Sequence, residues 1–257
     1  MVLLGDSIEL RDRPLPEALA VATPFFEDLG EALSGRRVTL VPGNHDHQLG
    51  SEWLRRRRGQ PLRLEQRALP VPGDPLARLA RRMGDTRLEL AYPGVWLRPD
   101  VYATHGHYLD CHIGVRTFEC FARAVSERIV RRVGYATPED YEAVLAPLYR
   151  LFYRTAQWSW AWPGVRLGKA VIRGVERADA RQSRFEPGMR AMARVVETLG
   201  IEADHVLFGH LHHPGEWTTD GGTRLLNTGT WRGQNADAAC VLVRDELPPE
   251  LSYPLGR

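Results

Sequence analysis

Lysine is almost missing from this chain. Lys169 stands alone, so the cations among its 34 basic residues are otherwise arginines. An arginine surface suits bidentate contact with phosphate, although biased composition is the simpler explanation. An excess of either charge is missing too: 34 Lys and Arg against 32 Asp and Glu leave a formal +2. That balance excludes the global field of a dedicated nucleic-acid binder, so any basic function must be local. Cysteine is scarce and scattered at Cys111, Cys120 and Cys240, with no CxxC pair and no disulfide-framework spacing. Such usage fits a reducing compartment and a cytoplasmic protein. Long apolar runs are absent: Val2 to Leu4 and Trp158 to Val165 fall far short of the ~20 residues that cross a bilayer. What remains, 257 residues at 43% hydrophobic and 26% charged, is enough for one principal core.

Periodicity places the elements. Met1 to Leu4 reads as a short buried strand. Pro14 and Pro16 punctuate a loop, and a helix begins at about Glu17, with Ala18, Ala22, Phe25, Phe26, Leu29 and Leu33 at helical spacing. Val38 to Val41 is a second strand that breaks at Pro42-Gly43. Strand, helix, strand is the mark of layered α/β architecture. Leu64 to Asp74 is Pro-rich and irregular with a strand piece, Arg87 to Tyr92 alternates like a half-buried strand, and Val101 to Thr104 is another. From 115 to 199 the pattern turns helical, an insertion within a single domain spanning 1–257. Strands resume at His205 to Phe208, Gly215 to Thr218, Thr223 to Leu226 and Ala239 to Val243, with Asp220-Gly-Gly222 as a hairpin turn.

Six of the nine histidines fall in three short clusters, His45 with His47, His105 with His107, and His210 with His212. Each follows an apolar run, as does Asp6: Leu4-Gly5-Asp6, Val41-Pro-Gly-Asn44-His45-Asp46, Ala103-Thr-His105-Gly-His107 and Phe208-Gly-His210-Leu-His212. Loops at one end of a sheet with crossover connections gather in one place. Carboxylate, amide and imidazole ligands there suit Mn, Fe or Zn. Any one of these histidines alone is more often a core or surface residue, and it is the joint order that carries the signal.

That order resembles the calcineurin-like metallophosphoesterases, whose motifs run DxH, GDxxD, GNHD or GNHE, a His followed by Gly, then GHxH. The resemblance covers Gly5-Asp6 to His212. It implies a four-layer αββα sandwich of two mixed sheets flanked by helices, with the helical insertion at 115–199 as a cap. It implies two divalent ions, Mn foremost and Fe or Zn as alternatives. Asp6 would bridge them, Asn44, His105 and His210 would complete one site, and His212 would belong to the other. His45, oriented by Asp46, would protonate the leaving group. The implied activity is hydrolysis of a phosphate mono- or diester, or a pyrophosphate, by attack of metal-bound hydroxide on phosphorus. A catalytically impaired metal- or phospholigand-binding relative and a nuclease of the same superfamily are the alternatives.

The chain also departs from the family. No DxH stands ahead of Gly5-Asp6, which leaves the first metal only Asp6 and His212, and the second Asp of GDxxD is Glu9. An N-terminally incomplete chain is the expectation. Asp110-Cys-His112 is a literal DxH in the wrong order, read as chance with a role at the rim of the site as the alternative. His47, His107 and His213 are expected only to line the pocket. Arg55 and Arg56, in the basic run 55–58, are candidates for substrate contact, weighed against a solvated helix face. Between Tyr149 and Arg173, aromatic residues including Trp158, Trp160 and Trp162 alternate with arginines. Such a stretch is either a packed helical hairpin or a lipid-facing lid. Its place in the chain resembles the lid of the UDP-2,3-diacylglucosamine diphosphatase branch. That points to a phosphorylated small molecule or lipid-linked substrate and to peripheral membrane contact, with nucleic acid disfavoured. Asn227 to Trp231 forms either a buttress behind the site or a simple turn.

Overall fold

The computed structural model describes residues 1–11, 13–57, 59–113, 136–160, 185–231 and 238–254. Cys120, Arg58, Trp162 and Arg166 lie outside the described residues, as do the side chains of Trp158 and Trp160.

Ten strands and five α-helices are described. In chain order they are β1 (Val2–Leu3), α1 (Leu15–Ala32), β2 (Arg37–Leu40), α2 (Gln48–Arg56), β3 (Glu65–Ala68), α3 (Pro75–Arg82), β4 (Arg87–Arg98) and β5 (Val101–Thr104). A 3-10 turn at His107–Cys111 leads on to α4 (Pro138–Trp160), α5 (Phe185–Thr198), β6 (His205–Phe208), β7 (Gly215–Thr218), β8 (Arg224–Asn227), β9 (Cys240–Leu242) and β10 (Glu250–Ser252). Eight strands form one mixed sheet in the order β1-β2-β4-β5-β6-β8-β7, with β3 also on β4, and β9 and β10 form a separate antiparallel pair. The class is α/β around a large mixed sheet, and the second sheet is this two-stranded pair.

Period-two alternation sorts the side chains into two apolar layers. Tyr102, Val206, Phe208 and Leu225 face the helices together with Val38, Leu40, Leu88 and Leu90. Their neighbours Val101, Ala103, Leu207 and Leu226 point the other way, with Val41, Ala91 and Val95, and meet Val241, Val243 and Leu251 of the small sheet region. The mixed sheet is thus covered by helices on one face and by the β9–β10 region on the other.

Several boundaries differ from the sequence reading. The first helix starts at Leu15 rather than Glu17, because proline is at home in a helix's first turn. Pro93-Gly94 does not end β4. Pairing of Pro93 with Glu65 and of Gly94 with Thr104 carries the strand on to Arg98. The short helix α3 and the strand β10 carried no recognised signal, and α2 showed only through the helix face weighed for Arg55 and Arg56. In α5, Met189, Met192 and Val195 are fully buried in the helix-facing layer. Among the described residues no helix is long and apolar enough to cross a membrane.

Candidate metal centre

Two parallel pairs, β1 with β2 and β5 with β6, run in opposite directions along the long β4. Their C-terminal ends meet near its middle, at Leu90 and Gly94, which delivers the four following loops to one place. The tightest turn follows β1, where Gly5 (φ +81°) and Asp6 (φ +52°) are both left-handed. Asp6 is the only described non-glycine residue in that region, a conformation short polar side chains tolerate best. Gly43, after β2, permits the close approach, since a Cβ there would overlap Asp6 Oδ1 and the His105 ring. Asp6 Oδ1 in turn accepts the His45 backbone N–H at 2.9 Å.

His105 is buried, and the partners of its two nitrogens fix its tautomer. Nδ1 lies 2.7 Å from the Leu4 carbonyl, an atom that can only accept, so Nδ1 carries the proton. Nε2 therefore presents a lone pair. Around it stand Asn44 Oδ1 at 3.2 Å, His210 Nδ1 at 3.1 Å and Asp6 Oδ2 at 3.4 Å. On the far side of His210, Nε2 lies 2.9 Å from Asp110 Oδ1 and must donate to it, which bares Nδ1 as well. With both rings neutral, two imidazole lone pairs, a carboxylate and an amide oxygen thus converge on one point. Such a set is completed by a cation. Asp6, His105 and His210 are the described group able to hold one. Burial works against the charge on both His105 and Asp6 and is outweighed by their mutual attraction. His105 is pushed up to about 9, so that without a cation its Nε2 holds a proton towards Asp6, and Asp6 is held well below the usual carboxylate range; a bound cation would take that proton's place.

His45 lies at the mouth. Its Nδ1 is 2.7 Å from Glu9 Oε2, and its Nε2 is 3.2 Å from Arg11 Nη1 and 3.9 Å from Asp6 Oδ2. Asp46 does not orient it, contrary to the sequence expectation. That carboxylate is fully buried and accepts the Gly43 and Ser7 backbone N–H groups at 2.6 and 2.8 Å, tying the two ligand loops together. Burial and the neighbouring Asp6 charge push it up to about 6. Glu9 takes the orienting place. Burial would raise Glu9, but the hydrogen bond and charge of His45 outweigh it and lower it.

His212 is exposed in the bend after β6 and stands outside the cation group. Arg55 pairs with Glu52 at 2.6 Å, and Arg56 with Glu52 at 3.0 Å and Asp74 at 3.3 Å, on the exposed end of α2. Those pairs favour the solvated-face reading. Asp110 and His112 do not act as a ligand pair, since Asp110 meets His210 and His112 Nε2 meets the Tyr141 hydroxyl at 2.8 Å. Asn227 is fully buried and donates to the carbonyls of Leu211 and His213, the buttress rather than a simple turn.

The sequence reading also missed residues of α4. The Tyr153 hydroxyl donates to the Asn44 carbonyl at 3.0 Å, behind a ligand. Glu142 is nearly buried and accepts from His47 Nε2 at 3.0 Å, from Tyr108 at 3.1 Å and from Tyr92. Only Glu9 had a signal in the sequence, its spacing from Asp6.

An α/β sheet whose strand-end loops assemble an imidazole, carboxylate and amide cation group is the frame of a metal-dependent phosphoesterase. The calcineurin-like phosphoesterase family model matches residues 1–214, and the chain belongs to that family. No individual curated protein matches it.

Proposed function

We propose that this chain hydrolyses a phosphate mono- or diester, or a pyrophosphate. Asp6, Asn44, His105 and His210 would hold a divalent cation, Mn first among Mn, Fe and Zn. The observation that carries the reading is the convergence of two imidazole nitrogens, a carboxylate and an amide oxygen, with the N–H of each neutral ring directed away to Leu4 or Asp110. A cation bound there supplies positive charge to phosphoryl oxygens and makes a bound water nucleophilic at neutral pH.

The chain's own residues supply the rest. His45 Nε2 here accepts from Arg11, so the ring would first take up a proton at Nε2, with that contact released, and then pass it to the departing oxygen while Glu9 holds Nδ1–H. The Arg11 guanidinium, 3.2 Å from that Nε2, contributes N–H groups to an anionic substrate. Asp46 keeps the Asn44 and Asp6 loops in register. The helical stretch at 115–199 would cap the site, a role supported by the bonds from α4 to Asn44 and His47. A lipid-linked phosphate or a phosphorylated small molecule is the proposed substrate class. The near-neutral charge weighs against nucleic acid.

Hydrolysis of bis(p-nitrophenyl) phosphate with added Mn²⁺ tests this. Activity should require the metal, and Glu9→Gln should lower kcat by about 10²-fold with little change in KM. Asp46→Asn should instead lower stability by about 1–3 kcal/mol, because one backbone N–H loses its acceptor. Absence of turnover with Mn, Fe and Zn overturns the enzymatic reading. A second reading is a binding relative without catalysis, in which the one cation group among the described residues, Asp6, His105 and His210, holds a phosphoryl ligand without a second cation. It predicts metal-dependent binding of inorganic phosphate without turnover.

A further inference from the structure

Both imidazoles of the cation group must offer a bare nitrogen, and they are prepared for it differently. His105 is fixed by a backbone carbonyl, which no substitution at position 4 would remove. His210 depends on a side chain, the Asp110 carboxylate 2.9 Å from its Nε2. We propose that Asp110 is a positioning residue of the cation site: it selects the Nε2–H tautomer of His210 and holds the ring so that Nδ1 faces His105, Asn44 and Asp6. The proposal rests on the cation-site reading above.

Local structure gives Asp110 the stiffness such a role needs. Gly106, left-handed at φ +97°, turns the chain directly after the ligand His105 into the 3-10 turn that carries Asp110. The turn is pinned on both sides of Asp110 by Leu109 and Cys111, both buried. It is pinned again by Tyr108, whose ring stacks on Tyr141 of α4 at 4.6 Å and 9°. One loop therefore supplies a ligand at its start and, five residues on, the group that orients the ligand from β6. A carboxylate behind a coordinating imidazole fixes its tautomer and raises its basicity, and losing it costs 10–100-fold in metal affinity as an order of magnitude. The competing account is a surface ion pair of no consequence, since the Asp110 side chain is 40% exposed.

Two measurements on the metal-free protein decide between them: Mn²⁺ titration followed by electron paramagnetic resonance of the free ion, and imidazole ¹⁵N NMR for the His210 tautomer. Asp110→Ala should weaken Mn²⁺ binding by about 10–100-fold and leave His210 as a tautomer mixture, with the metal-free melting temperature unchanged. Asp110→Asn keeps an acceptor oxygen without the charge. It should retain the Nε2–H tautomer and bind with intermediate affinity, and it decides the matter alone if the alanine variant does not fold. The proposal fails if Asp110→Ala binds Mn²⁺ within about twofold of wild type, or if its His210 stays in the Nε2–H form. It also fails if any loss of affinity is matched by an equal loss of metal-free stability. His105→Ala separates the two levels: if it binds Mn²⁺ like wild type, the cation-site reading itself is wrong. If it loses Mn²⁺ while Asp110→Ala does not, only the role of Asp110 is.

Discussion

Two histidine groups stand side by side in this molecule, His105 and His107 only 5.6 Å apart by ring centroid, and their chemistry is opposite. Around His105, Asp6, Asn44 and His210 meet as acceptors, and the N–H groups of the two neutral rings are directed away to Leu4 and Asp110. Around Glu142, a single carboxylate receives hydrogen bonds from His47, Tyr92 and Tyr108, and the Tyr92 hydroxyl also lies 3.2 Å from His107 Nε2. Charge follows the same division. His105 is pushed up to about 9, where Asp6 overrides burial, while burial and neighbouring histidines hold His107 well below its ordinary value. One group is incomplete without a cation and the other has its acceptor satisfied from within. Residue type does not separate them. The partners behind each ring do.

The largest effect is expected where the closed group is broken. Glu142→Ala removes the acceptor of three buried donors and should cost about 3–5 kcal/mol, read by chemical denaturation. Mn²⁺ affinity of the folded fraction should stay within a few-fold of wild type. Lost metal affinity with stability intact would erase the distinction between the groups. The open group responds the other way. Mn²⁺ at 100 times its Kd should stabilise the wild type by about 2.7 kcal/mol. His105→Ala should abolish that gain and disturb metal-free stability less than Glu142→Ala, as thermal melts with and without Mn²⁺ would show.

The open group was the more legible in the sequence, and the reason is physical. Asp6, Asn44, His105 and His210 each end an apolar run beside a glycine, so strand and turn signals mark the same residues that the fold brings together. Strands His205–Phe208 and Gly215–Thr218 were readable for the same reason, bounded by local turns. The closed group has no such mark. Glu142 sits in Pro-Glu-Asp-Tyr-Glu at the start of a helix, where an acid looks solvated. Only packing 95 residues away on His47 buries it. The sequence assigns His45 to its neighbour Asp46, and only the turn of the chain at the left-handed pair Gly5-Asp6 brings Glu9 to His45 instead. The continuation of β4 past Pro93-Gly94 is likewise non-local, imposed by β3 and β5.

The smallest expected effect sharpens the comparison through pH. His112 lies on the closed side, its Nε2 accepting from the Tyr141 hydroxyl of α4 at 2.8 Å. Burial, helped by Arg194, pushes it from its ordinary 6.5 down to about 4. Between those values the unfolded chain holds a proton at this position that the folded one does not, so stability rises with pH there. The neutral ring's contribution is complete above about 6.5 and is lost as pH falls toward 4. His112→Gln keeps an acceptor for Tyr141 and has nothing to titrate. Its stability against pH should therefore be flatter than wild type across that window, measured by denaturation at matched ionic strength. An unchanged slope would mean that the proton taken up on unfolding belongs elsewhere. His107, the other imidazole held below its ordinary value, would be the first place to look, and the division between the two groups would then have to be drawn through the ring that touches both.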